Sequence, residues 1–574
     1  MSRLIKLLYL IVVVALLAAN LTAPAVLSAR STPTGSAFLS QADIQGLAAL
    51  MPADSTLFFV LRTDDNYIDQ LDSLWQKIYA RVASVGVPSS LKALLDEAAA
   101  RLGGDFQTAV RSWLGDSAAF GIGSVSKLFD SNRRNDLESE ILLAVQITNR
   151  AEVEKLFERF AQPSGYTKTS TEAFTDYEDV NEPILLRVTE NLLLLGTAAG
   201  VKSTQNRAAK LNGNPQFKET ISALPEEGYN ILLYYNLTNL IDQVSELLPP
   251  GQSDLLRQSG AIAFGATILD GRTLTLDFAI PNTAEILYGI DLTGPTDPAF
   301  ARFMPANTIL SIQLHNLKNY YEAILAAFRA NFLTREDGQP FEQTLQQLEN
   351  ILRLALRLDL NEDILGWMTG DAALFIAYTP QERSLFELGL DPTLRLPFVG
   401  YDFGLLIESS DPGKAARFVA ELGTVLESSL RDTPNLTLTQ AEKHFTIAVN
   451  VPNLTTPIEL MIGAEGPIFY VATSAAAAHI QSGEEGLSAA AGYREALQYM
   501  LPESIQIWYM GSDAMNLLGE IVASQNGPRR LLLERFPQVR SNWQIVASLL
   551  SSSAISLAVK DGFQVMRATL SLSE

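Results

Sequence analysis

Met51-Pro52-Ala53-Asp54-Ser55-Thr56-Leu57-Phe58-Phe59-Val60-Leu61 reads as a proline turn running into a short apolar strand. The stretch from Asn66 to Val82 then reads as an amphipathic helix, because Ile68, Leu71, Leu74, Ile78 and Val82 recur at helical spacing on one face. Proline has no N–H to donate to a sheet ladder, so Pro52 suits the start of an edge or first strand. The arrangement returns at Met304-Pro305-Ala306-Asn307, 253 residues on, with looser echoes at Leu224-Pro225-Glu226 and Leu501-Pro502-Glu503.

Working outward, the correspondence continues in chain order. Asn66-Tyr67 aligns with Asn319-Tyr320, and Trp113-Leu114-Gly115-Asp116 with Trp367-Met368-Thr369-Gly370-Asp371. Further on, Leu192 to Thr197 aligns with Ile468 to Thr473, and Asp270-Gly271 with Asp561-Gly562. The offset drifts only as loop lengths would require. This predicts an internal duplication, with one unit over 41–282, a linker over 283–297 containing Gly294-Pro295, and a second unit over 298–574.

Within the first unit, strands are expected at 57–61, 118–122, 141–147, 184–188, 192–196, 229–236, 261–268 and 273–280. Helices are expected at 90–102, 105–114, 151–161, 198–211, 217–223 and 238–248, with Asp105 placed to cap the second of these. Thr189-Glu190-Asn191 and Asp270-Gly271 read as hairpin turns. Adjacent strand pairs point to an α+β fold, each unit a largely antiparallel or mixed sheet with helices on one face.

The proline-turn strand, the Trp113-Leu114-Gly115-Asp116 segment before a strand, and Asn214-Pro215-Gln216-Phe217 before Leu224-Pro225 resemble the bacterial family called "domain of unknown function 3352". The resemblance covers nearly all of the chain after its N-terminal segment. It implies an exported bacterial protein and carries over no catalytic residue, since the family has no established activity.

Composition agrees with a globular chain of more than one domain: 574 residues, 47% hydrophobic and 18% charged. A formal net charge of −22 repels phosphate backbones and speaks against nucleic-acid partners. Cysteine is absent, which removes disulfides, thiolate metal sites and a lipoprotein anchor. At the N-terminus, Arg3 and Lys6 precede an almost wholly apolar run from Leu7 to Leu21, with small residues after it. Residues 1–29 therefore read as a signal peptide or an N-terminal membrane anchor, and 30–40 as a flexible spacer. Either way the bulk of the chain is expected outside the cytoplasm: secreted, periplasmic or at the cell surface.

No motif with catalytic or cofactor chemistry stands out, and no cofactor is expected. His315, His444 and His479 lack metal-binding spacing; His315 aligns with Arg62, which predicts a polar surface or edge position. Gly115-Asp116-Ser117-Ala118-Ala119 approaches a nucleophile elbow but lacks its last glycine, so Ser117 is expected in a helix-to-strand turn. Asp64-Asp65-Asn66 and Asp359–Asp363 suit helix caps better than calcium. Asn236, Asn435 and Asn453 each begin N-L-T, a signal only in a eukaryotic secretory route. The recurring residues Pro52, Trp113, Gly115, Asp116, Pro225, Pro305, Trp367, Gly370, Asp371 and Pro502 are read as structural signatures. The expected role is non-enzymatic binding, scaffolding or envelope association. One alternative is a carrier or sensor of an apolar ligand, such as a lipid or envelope precursor held between sheet and helices, which needs a dry cavity. Another is a carboxylate-dependent hydrolase, for which Asp116 and Asp371 are the motif-borne candidates.

Overall fold

A computed structural model describes residues 38–572 apart from 83–87, 101–102, 124–140, 162–164, 180–182, 227, 245–259, 270–272, 283–293, 333–342, 379–400, 432, 451–456, 515–549 and scattered positions between 344 and 357. The N-terminal segment, most of the spacer and linker, and the Asp270-Gly271 turn lie outside the described residues. The chain is α+β, and contacts divide it into two compact units. The first ends at Pro281 and also takes in Lys560–Leu572; the second runs from Asn282 to Val559.

In the first unit the strands are β1 (Leu57–Arg62), β2 (Leu114–Ile122), β3 (Ile141–Ile147), β4 (Tyr166–Ser170), β5 (Thr175–Asp179), β6 (Ile184–Val188), β7 (Leu192–Thr197), β8 (Ile231–Asn236), β9 (Ala261–Leu269) and β10 (Thr273–Pro281). The second unit holds β11 (Thr308–His315), β12 (Asp371–Tyr378), β13 (Tyr401–Glu408), β14 (Leu436–Gln440), β15 (His444–Val449), β16 (Ile458–Glu465), β17 (Ile468–Thr473), β18 (Gln506–Gly511) and β19 (Leu550–Lys560). The last strand, β20 (Phe563–Leu572), belongs to the first unit.

Pairing in the first unit runs β4-β5-β6-β7-β3-β2-β1-β8-β9-β10-β20, antiparallel at every step. In the second it runs β14-β15-β16-β17-β13-β12-β11-β18-β19, again antiparallel throughout. The strand after Pro52 is central, not an edge: Val60 stands opposite Ala119 on one side and Leu232 on the other. Pro52 itself lies before β1, in an isolated bridge to Lys210. There its missing N–H costs the sheet nothing.

Helices cover both faces of each sheet, where the sequence suggested one. Successive side chains of a strand point to opposite sides, and here both sides are apolar. In the first unit Leu142, Ala144, Leu185 and Leu194 join Phe58, Val60, Phe217 and Ile221 on one face. Their neighbours Leu143, Val145, Leu186 and Leu193 join Trp113, Val153 and Phe157 on the other. The helices concerned are Pro215–Ala223, with Asn214 as its N-cap, and Arg150–Ala161. The second unit shows the same division. Ala373, Phe375, Leu406 and Tyr470 meet Phe300, Ala477 and Tyr493, while Ala372, Ile407 and Phe469 meet Trp367 and Val419.

The helices expected at 105–114 and 198–211 are confined to Gln107–Arg111 and Ala198–Ser203, and the strands depart from expectation at two places. β4 and β5 carry too many polar residues to read as strands. In β5 the polarity is satisfied internally, because buried Asp176 receives a two-pronged bond from Arg187 of β6 at 2.7 and 2.8 Å. The other departure is the end of the chain. Residues 563–572 were expected in the second unit, but β20 pairs with β10 along its whole length, from Thr273 opposite Ser571 to Pro281 opposite Phe563.

That pairing encloses a buried polar network. Asp277 of β10 is fully buried and accepts two bonds from Arg567 of β20, both 2.7 Å, and one from the Tyr229 hydroxyl at 2.9 Å. Arg567 also reaches Glu226 at 2.7 Å. Burial pushes the Asp277 carboxyl up, and Arg567 then Tyr229 oppose that. Burial alone would pull the Arg567 guanidinium down, but bonds and charge from Asp277 and Glu226 outweigh it and hold its pKa above the usual range. Arg567→Met leaves an uncompensated buried carboxylate, and should cost about 3–5 kcal/mol in urea unfolding. The double substitution Asp277→Leu/Arg567→Met should recover most of that loss; equal losses in the single and double variants would refute the pairing as the source.

Candidate functional site

The Trp-Gly-Asp segments show why these residue types recur. Trp113 is buried and its indole N–H donates to the Ala109 carbonyl at 2.8 Å; Trp367 donates likewise to Asp363 at 2.8 Å. In both places a polar end is satisfied while the ring fills the core beneath the sheet. The glycines that follow allow close strand contact. A Cβ on Gly115 would meet the Gln146 backbone at 2.8 Å, and one on Gly370 would meet the Glu408 carbonyl at 2.6 Å. The proline turns are alike too: the N–H and hydroxyl of Ser55 both donate to the Pro52 carbonyl, and those of Thr308 to that of Pro305. Pro225 is half-buried and Pro502 exposed, each just ahead of a central strand.

The two aspartates have different fates. Strand register sets Arg62 opposite Ser117, and His315 opposite Asp371. Asp371 thus corresponds in register to Ser117 and not to Asp116, one position off the sequence alignment. Asp371 is buried. The His315 Nδ1–H donates to its Oδ1 at 2.8 Å, and the Asp297 N–H donates to its Oδ2 at 2.7 Å. Burial pushes the Asp371 carboxyl up, while His315 and the Asp297 N–H restrain the rise. His315 is therefore tied to a central strand and only partly exposed, not at a sheet edge. Ser117 lies buried within β2 instead of in a turn, and its hydroxyl has no partner among the described residues. Asp116 stays in solvent, its side chain 79% accessible and 3.7 Å from Arg111.

The other singled-out residues have local structural roles. Asp64 accepts from the Tyr67 N–H and pairs with Arg62 at 2.6 Å. Asp359 accepts from the Asn361 and Glu362 N–H groups, as a cap does, and so titrates below its ordinary range. Asp105 does the same for Thr108. His479 is half-buried, beside the Arg302 carbonyl. Among the described residues no cluster of three or more His, Asp or Glu is placed to hold a metal ion, and no helix is long and apolar enough to cross a membrane.

Sequence reasoning missed a concave site among the described residues. In the first unit a pocket of about 390 Å3 is bounded by the helix Gln41–Ala48, the bulged start of β2, the end of β3 and the β6–β7 turn. Asp43, Asp116, Gln146, Thr148 and Asn191 supply its polar wall, and Leu47, Leu50 and Leu192 its apolar floor. Asp43 accepts from Gln146 Nε2 at 3.1 Å. Gly46, within the helix, faces open space: a Cβ there would meet nothing within 4 Å. A glycine inside a helix costs about 1 kcal/mol relative to alanine, and this one lines the pocket. It is the signal that could have been read beforehand.

Residues 10–442 match the family described as "Protein of unknown function (DUF3352)". The chain belongs to this family. No curated protein matches it. A solved structure that is similar in part, titled "Structure of crystal form I of TP0453", is 11% identical, covers 41% of this chain and 78% of its own, and gives a TM-score of 0.23. A score that low supports no argument, and DUF3352 membership rests on the sequence match alone.

Two contrasts test this site. Gly115→Ala should destabilise the protein by about 1–3 kcal/mol through overpacking against Gln146, whereas Gly46→Ala should stabilise it by up to about 1 kcal/mol; a Gly115→Ala variant as stable in urea as the unaltered chain would refute the close strand contact. His315→Ala removes a donor from a buried carboxylate, so the Asp371 midpoint followed by carboxyl-carbon NMR should move further up. An unchanged midpoint would show that the pair does not form.

Proposed function

We propose that this DUF3352 protein is an extracytoplasmic binding protein of the cell envelope, built from two copies of one α+β unit and acting without catalysis. One observation carries the binding reading: the first unit has an open pocket with a mixed polar and apolar lining, while the motif side chains are engaged in holding the fold. Trp113 and Trp367 fill cores, Gly115 and Gly370 admit neighbouring strands, and Asp371 is closed off by His315. The motif-borne hydrolase pair does not share a cleft: Asp116 lines the pocket, whereas Asp371 is buried against His315 and does not line it. An apolar carrier would need a dry chamber, and this pocket has polar side chains on one wall.

Duplication is supported by matching strand orders. β1 lies between β2 and β8 as β11 lies between β12 and β18, and each unit continues β3-β7-β6 or β13-β17-β16 beyond. Export is supported by the basic and apolar order of residues 1–29.

The location is tested by expressing the full chain and a variant lacking residues 1–29 in a bacterial host, then separating cytoplasm, membrane and exported fractions. The full chain should leave the cytoplasm, with N-terminal sequencing reporting cleavage or retention of the segment, and the shortened chain should remain inside. A full chain found in the cytoplasm would refute the location.

A further inference from the structure

We propose that the first unit's pocket binds an alkylammonium group: a primary amine on a short hydrocarbon chain, carried by a free diamine or by a lysine side chain. This rests on the binding reading above and assigns its ligand chemistry. The lining contains two carboxylates, Asp43 and Asp116, and no Lys, Arg or His. An anion is therefore repelled, and a cation is favoured by the local pair and by the −22 charge of the whole chain. The acids differ in a useful way. Asp43 is fixed at the helix start by Ser40 and by Gln146 at 3.1 Å. Asp116 is open to solvent, with only a distant contact to Arg111 at 3.7 Å. A fixed acid beside a free one suits an arriving cation, because the free carboxylate needs to break no short bond to meet it.

The remaining surface sets the body of the ligand. Leu47, Leu50 and Leu192 offer an apolar floor, and no aromatic ring lines the pocket to stack on a sugar. Thr148 and Asn191 add neutral polar groups whose side chains bond to nothing among the described residues. The volume, about 390 Å3, is at the small end of the range of ligand sites. A short alkyl chain bearing an ammonium matches a floor of leucines beneath a rim of carboxylates.

Cadaverine, Nα-acetyl-lysine amide and pentane-1,5-diol, titrated into the full chain by isothermal calorimetry, test this. Cadaverine should bind saturably, and more weakly as salt rises. Asp116→Asn should weaken it at least tenfold, and Gly46→Leu, which fills the pocket with a good helix former, should abolish it. Comparable binding of acetyl-lysine amide points to a protein side chain as the source, and its failure points to a free diamine. If the diol binds as well as cadaverine and Gly46→Leu abolishes both, the charge assignment is overturned while the binding reading survives. If none of the three binds, or cadaverine binds both variants as it binds the unaltered chain, the proposal is overturned.

Discussion

The buried ion pair between Asp277 and Arg567 joins residues 290 apart in sequence and closes the first unit. Two charges taken from water cost several kcal/mol each unless each meets its partner in good geometry. Here the guanidinium fork meets the carboxylate with both prongs, Tyr229 fills a further acceptor site, and Glu226 takes what Arg567 has left. A one-residue slip of β20 against β10 would turn Arg567 to the opposite face of the sheet. The pair therefore helps to set the register of that ladder, together with the alternating burial of β20.

Burial of both sheet faces is the second constraint. It explains why many strand positions are apolar on both faces and why the charged residues buried inside strands come in matched pairs. Asp176 with Arg187 and Asp371 with His315 are such pairs, each bridging adjacent strands. It also explains the glycines opposite bulky neighbours: the Tyr229 ring lies where a Cβ of Gly265 would be, and the Phe375 ring does the same at Gly404. Where the sheet thins to polar edge strands, as in β4 and β14, the second face is released to solvent.

Much of this was legible in the residues. The strands at 141–147 and 184–188 were read with the bounds they have, because apolar runs between turn signals carry that information locally. The caps Asp105 and Asp359 were legible for the same reason: a cap is a bond within three residues. β4 and β5 were not, since their strand character comes from neighbours and not from their own composition. Pro52 and Pro305 each accept a turn bond, and Trp113 and Trp367 lie in cores. The pocket was hidden because its walls come from four separate elements, and only Gly46 hinted at it from within one.

The sequence by itself determined the fold class, the family and the recurring proline-turn and Trp-Gly-Asp segments, because each depends on residue type and short spacing. Tertiary structure alone decided that the last strand returns to the first unit, that Asp371 is buried while Asp116 is exposed, and that helices lie on both faces. Each of these depends on which distant strand supplies the partner. Register and partner are set by side chains hundreds of residues apart, and no local pattern records that choice.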